Sequence, residues 1–322
     1  MNKITGLALS SVLAMAGCGG GGGTSADVTS PVTTPTATSV SGVAAKGIVK
    51  QANVLVCRIV NGVPEADAEC ASGTTGTDGS FVVTMADAYS GPTLVKVVAG
   101  TGSTMMDETT GADVPYSMTM RAVVSSVSGT ANVNVTPFSE MAASAMALSM
   151  PMDATKISQA NAAVQSMMTG FGIDLSVMPM LDLKNDGTDS IKLGSEANMV
   201  KQLARVAMAA KNSNLLKDTN GVACNATGTT TSQQIACAVA AMSSVMTGYV
   251  SSDPTKVANL MAALNAQNVT NVTMPVRRAD GTVGMQFADM TSLISMQTAM
   301  QNAGMAVNTA ANTTNAMMGR MH

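Results

Sequence analysis

Tryptophan is absent from this 322-residue chain, and aromatic residues of all kinds make up 2% of it. Sugar rings and unpaired bases usually rest on such side chains. Their scarcity argues against a carbohydrate-binding module and against single-strand recognition. Charge is sparse too, at 11%, with a formal net charge of −3 and no basic run. The electrostatic footprint of nucleic-acid or anionic-lipid binding is therefore missing. Histidine occurs once, as His322 at the C-terminus. That position removes Ser-His-Asp and Cys-His arrangements and most zinc sites from consideration. No GxxxxGK[ST] motif occurs, and the run Gly19–Gly23 lies outside any strand-turn-helix context. A carboxylate pair is the one acid–base option left, and no cofactor is implied.

What is present begins with an address. Met1-Asn2-Lys3 precedes a mostly apolar run from Ile4 to Ala16, then Gly17-Cys18. This is the charged start, apolar middle and small-residue end of a secretory signal. The run is too short to span a bilayer, which needs about 20 apolar residues. Leu13-Ala14-Met15-Ala16-Gly17-Cys18 resembles the lipobox of bacterial lipoproteins, with Met15 where that pattern usually has Leu. The resemblance implies cleavage before Cys18 and lipid on that cysteine. Gly19, in place of an aspartate, points to the cell outer membrane in a Gram-negative cell, with periplasmic and surface-facing orientations both open. Residues 18–40, rich in Gly, Ser, Thr and Pro, are expected to be a disordered tether after a signal peptide over 1–17.

Of five cysteines, four remain: Cys57, Cys70, Cys224 and Cys237. An even number in an exported chain implies disulfides, with three pairings possible. Both pairs share a 13-residue offset, which favours Cys57–Cys70 and Cys224–Cys237. A metal site is the rival reading, but neither pair has CxxC spacing or a nearby His.

From Ser41 the hydrophobic period is two. Asn53–Val60, Phe81–Met85, Thr93–Val98, Tyr116–Val124 and Asn132–Val135 read as strands, punctuated by Asn61-Gly62, Thr77-Asp78-Gly79-Ser80 and Gly91-Pro92. Residues 41–130 are thus expected to form an antiparallel β-sandwich. Gly47-Ile48-Val49, Ala52-Asn53-Val54-Leu55-Val56 and Thr77-Asp78-Gly79-Ser80-Phe81 resemble the carboxypeptidase-regulatory-like (transthyretin-like) sandwich. In that family a Thr-Asp-x-x-Gly-x-Phe turn joins two strands; the turn here is one residue tighter. The resemblance covers roughly 41–125 and implies a folding and spacing module without catalytic residues.

After Val135 the period becomes helical. Thr136-Pro137 and Asp253-Pro254 offer N-caps followed by proline at the first helical position. Apolar stripes mark further helices around Ile157–Met168, Glu196–Lys211 and from about Asp289. Residues 131–307 are expected to be an all-α helical domain, and 308–322 a flexible tail. The fold class expected is therefore multidomain, an antiparallel β-sandwich followed by an all-α domain.

Two further features invite chemistry. Asp182, Asp186 and Asp189 surround Asp186-Gly187, which echoes the middle of an EF-hand loop. Lys184 occupies a ligand position, however, and Leu193 stands where the bidentate Glu would be. A plain polar loop is the expectation. Methionine, at 29 residues, outnumbers leucine. Thioethers select Cu(I), and Met118/Met120, Met150/Met152 and Met178/Met180 have MxM spacing, with Met317, Met318, Met321 and His322 at the tail. Met141, Met167, Met261 and Met300 instead fall on apolar helix faces, as core filler would. The expectation is a membrane-tethered structural or interaction protein of the cell envelope, without a catalytic site, partnered by another protein. Alternatives are a Cu(I)-binding protein and, last, a carboxylate enzyme.

Overall fold

The computed structural model of the chain describes residues 37–182, 190–247, 253–277 and 283–289. Cys18, the signal segment and the tail 308–322 lie outside these residues. All described residues belong to one compact unit beginning at Pro35.

The alternating run read in the sequence is strand β3 (Asn53–Val60), which buries Val54, Val56 and Ile59. It pairs antiparallel with β7 (Ser90–Val98), and β7 pairs antiparallel with β10 (Thr119–Ser128). Two short strands, β4 (Val63–Pro64) and β5 (Ala71–Thr74), fold back on β3. The turn between β3 and β4 is Asn61-Gly62, with φ values of 53° and 76°, the conformation for which an Asn-Gly pair is suited. Pro92 lies inside β7, where it can donate no hydrogen bond. Opposite it β10 bulges, so that Thr93 faces Val124 while Gly91 faces Val127.

A second sheet places β1 (Ser39–Val43) between β11 (Thr130–Asn132), parallel, and β6 (Ser80–Thr84), antiparallel. β1 begins at Ser39 because Val40 is fully buried and its backbone is paired on both sides. The first strand thus starts two residues before the expected start of the body at Ser41. A third, small sheet joins β2 (Val49–Lys50), β8 (Thr104–Met106) and β9 (Asp113–Pro115). Val40, Val54, Phe81, Val95 and Met120 share one apolar core contributed by the first two sheets.

That core continues into the helices without a break at residue 130. Helix α1 (Pro137–Ala147) adds Phe138 and Met141, and α2 (Ala154–Thr169) adds Ile157 and Val164; both pack against β10. Thr136 caps α1 in a capping box with Ser139, and Asp153 caps α2 through Lys156 N–H. Helices α3 (Ser190–Asn212), α4 (Thr231–Val245) and α5 (Pro254–Asn265) follow, with α4 packed against α1 and α3.

The all-α expectation for 131–307 is corrected. A three-stranded sheet joins β12 (Leu181–Asp182) to β13 (Asn271–Arg277) in parallel, and β13 to β14 (Val283–Asp289) antiparallel. β13 alternates Val272, Met274 and Val276 with Asn271, Thr273, Pro275 and Arg277, a period of two that outweighs the helical pattern around it. Pro275 is tolerated because β12 covers only Val276 and Arg277, leaving that flank of β13 unpaired at the proline. The helix expected from about Asp289 falls outside the described residues beyond the end of β14. The chain is thus a β-rich body of antiparallel sheets with helices added mainly in its C-terminal half.

Candidate functional site

Two ion pairs use neighbouring residues of the segment after β8: Lys46 with Glu108, and Lys211 of α3 with Asp107. Between β1 and β2 the backbone turns sharply through Lys46-Gly47, and Ala45 bridges Ile48. Gly47 has φ +62°, and a Cβ there would stand 1.7 Å from Met106 O, so no side chain fits. Lys46, fully buried, places Nζ 2.7 Å from Glu108 Oε2; Glu108 is 1% exposed. Gly47 N–H donates to Glu108 Oε1 at 2.5 Å, which occupies the second carboxylate oxygen. Next to it, Asp107 accepts from Thr109 N–H, Thr109 Oγ1 and Thr110 Oγ1 at 3.1, 2.7 and 3.0 Å, and from Lys211 in the last turn of α3. Burial pushes the Asp107 carboxyl up, but hydrogen bonds from Lys211 and Thr109 outweigh it and hold the group below the usual carboxylate range. Both carboxylates are fully engaged, so the two pairs join elements and leave no free base. A second joint is similar: Arg121 on β10 grips Glu140 on α1 through Nε and Nη2, and Ser144 Oγ bonds Glu140 Oε1.

A cleft of about 560 Å³ opens between α4, α5 and the loop after α3. Leu216, Val245 and Leu260 form its apolar floor, while Lys217, Lys256 and Asn259 stand at its rim. This volume lies in the range of small-ligand sites. Its polar groups are locally committed. Ser244 Oγ donates to Ala241 O, Thr247 Oγ1 to Ser244 O, and Asp218 accepts from the Asn220 and Val222 backbone N–H groups. Among the described residues, then, no hydroxyl of the cleft bonds a carboxylate. The cleft combines an apolar floor with the charged side chains of Lys217, Asp218 and Lys256. Elsewhere on α3, Lys201 and Arg205 lie one turn apart. Burial lowers both from their ordinary values, and the Arg205 charge lowers Lys201 further.

The cysteines pair as expected, Cys57 with Cys70 and Cys224 with Cys237, at Cα separations of 4.4 and 5.4 Å. Asp67 lies close to the first pair, the one metal-capable grouping among the described residues, but both sulfurs are spent on each other. The MxM pairs do not present matched thioethers. Met120, Met152 and Met180 are buried, whereas Met150 is exposed and Met118 and Met178 are half-buried. Met141 is buried, and Met167 and Met261 pack against the core. Met300, the tail methionines, His322, Asp186 and Asp189 lie outside the described residues. Asp182 sits on β12, and nothing is described of its side chain.

The two ion pairs after β8 escaped sequence reasoning because Lys46 is 62 residues from Glu108 and Lys211 is 104 from Asp107. Helix α4 has a start signal that is legible in the sequence. Thr230 and Gln233 form a capping box before Ile235, Ala238, Val239 and Met242 at helical spacing. No family model, curated protein or solved structure matches this chain.

Proposed function

We propose that the protein is a lipid-anchored structural or interaction protein of the cell envelope, held in the outer membrane through Cys18. The observation that carries this reading is the pair of short-range disulfides in the body, which belong to an oxidising compartment. The Ala16-Gly17-Cys18 junction supplies the route there and the anchor. The β-rich part is read as a transthyretin-like sandwich that sets the body on its tether. The cleft beside α4 and α5 is its candidate recognition surface, with a protein partner as the expected occupant. The distribution of methionine supports core filling over copper handling, since the two methionines of each of the three MxM pairs differ in burial.

Replacing the anchor residue tests the reading. Cys18→Ala should accumulate as an unprocessed or soluble form, while the wild type sediments with membranes. Normal processing and unchanged membrane fractionation of that variant would remove the proposal.

A further inference from the structure

Four of the seven large exposed apolar residues among the described residues lie on two neighbouring segments; Val82, Leu215 and Val222 lie elsewhere. Val60 and Val63, 51% and 54% exposed, face each other across the β3–β4 turn. Leu148 and Met150, 64% and 46% exposed, lie on the segment joining α1 to α2. The two segments touch. Met152 N–H donates to Gly62 O at 2.8 Å, and a Cβ on Gly62 would stand 2.3 Å from Pro151 Cβ. One tip therefore carries four uncovered apolar side chains. Its flanking charges cancel, with Arg58 paired to Glu65 and Lys156 to Asp153.

The start of the folded body lies at the same end. Thr38 Oγ1 donates to Tyr89 O and accepts from Tyr89 N–H, both at 2.8 Å. The Tyr89 hydroxyl donates to Pro92 O at 2.7 Å and stands 3.4 Å from Ile59 O, the residue before Val60. One tyrosine thus spans from the first residues of the body to the tip. Cys18 precedes Thr38 by about 20 residues, whose reach is about 25 Å as a flexible coil and about 70 Å fully extended.

We propose that this tip is a membrane-contact surface, at which Val60, Val63, Leu148 and Met150 enter the boundary of the bilayer that holds the Cys18 lipid. The inference rests on the lipoprotein reading. Because the chain joins the body beside the tip, the tether keeps that end within its reach of the lipid, and uncovered apolar side chains gain by leaving water there. Balanced flanking charges make the contact apolar rather than electrostatic.

The absence of tryptophan makes the test direct. V63W supplies one emitting side chain at the tip. V222W supplies a control on the loop tied by Cys224–Cys237 to α4, whose Ser232 bonds Pro115 O beyond the opposite end of the sheet. Each full-length lipoprotein is purified, checked for wild-type circular dichroism and reconstituted into phosphatidylcholine vesicles with or without brominated acyl chains. V63W is expected to shift to the blue and lose roughly half its emission to bromine, as interfacial side chains lie about 5–10 Å into the headgroup and acyl boundary. V222W should do neither, and the V63W signal should be equal at low and high salt. A lipidated V63W that floats with the vesicles yet stays unquenched overturns the contact and leaves the anchor standing. Quenching lost at high salt also overturns it, as does a concentration-dependent blue shift without vesicles, which would mark a second copy covering the tip. A mature chain with no lipid on Cys18 overturns the anchor, and this inference with it.

Discussion

The strand-rich and helical parts of the body are held by different means. In the first, register and turns are specified by particular groups: the Lys46–Glu108 pair, the positive-φ glycines, and Tyr116, whose hydroxyl donates to Val97 O at 2.9 Å. In the second, packing rests on small and adaptable residues, such as Ala238 and Met242 on α4 and Ala207 on α3. Two of the seven ion pairs among the described residues join the two parts, Arg121–Glu140 and Asp107–Lys211. Apolar faces of Ala and Met tolerate several packings, whereas a buried ion pair satisfies one arrangement. In a chain with 11% charged residues, these two joints are the ion pairs whose removal tests how the parts are set against each other.

The sharpest way to break that contrast is at its most buried pair. K46M should cost about 3–5 kcal/mol, since Glu108 would keep a buried charge with only the Gly47 N–H beside it. The double variant K46M/E108L should recover most of that loss in urea unfolding. An equal loss in both would show that the pair does not specify the corner.

The two disulfides come next, each closing a short loop worth about 3 kcal/mol on the chain-entropy view. Their local effects should differ. C57A/C70A leaves β3 paired with β5 and β7, so amide exchange in β3 should stay slow. In C224A/C237A the loop after α3 keeps the Lys217–Ala223 bridge, short turns and side-chain bonds, and it should become sensitive to protease. Matching protease sensitivity at both sites would erase the distinction.

Asp107→Asn should cost about 2 kcal/mol at neutral pH, the range of a hydrogen bond to a charged group. The folded-state value of Asp107 lies below its unfolded one, so its contribution is complete above the unfolded pKa of about 3.9 and fades as pH falls through the folded value. The stability gap between wild type and variant should therefore narrow in acid. A gap that widens there would contradict the assigned direction. The smallest expected effect is none: M118L/M120L should leave a Cu(I) titration against a competing chelator unchanged. Stoichiometric binding lost in that variant would favour a copper site over core filler.

Local chemistry was legible in the sequence. Asn61-Gly62, Thr136-Pro137 and Asp253-Pro254 each encode their turn or cap within a few residues, and the structure places them as read. The disulfide pairing was legible for the same reason, since equal short offsets leave little room for exchange. Joints were not. Lys46 and Glu108 are 62 residues apart, and nothing in either neighbourhood names the other. The β13–β14 hairpin lay between the two. Its alternation was present, with Asp280-Gly281 between the strands, but apolar stripes on both sides gave the segment a helical reading.

The central claim is a lipid anchor on an oxidised, exported body, and an intact mass of the protein from its own membrane addresses it most directly. The account predicts a chain that lacks residues 1–17, carries diacylglycerol on Cys18 and has lost four hydrogens to Cys57–Cys70 and Cys224–Cys237. A retained leader, an unmodified Cys18 or four free thiols in the body would contradict it.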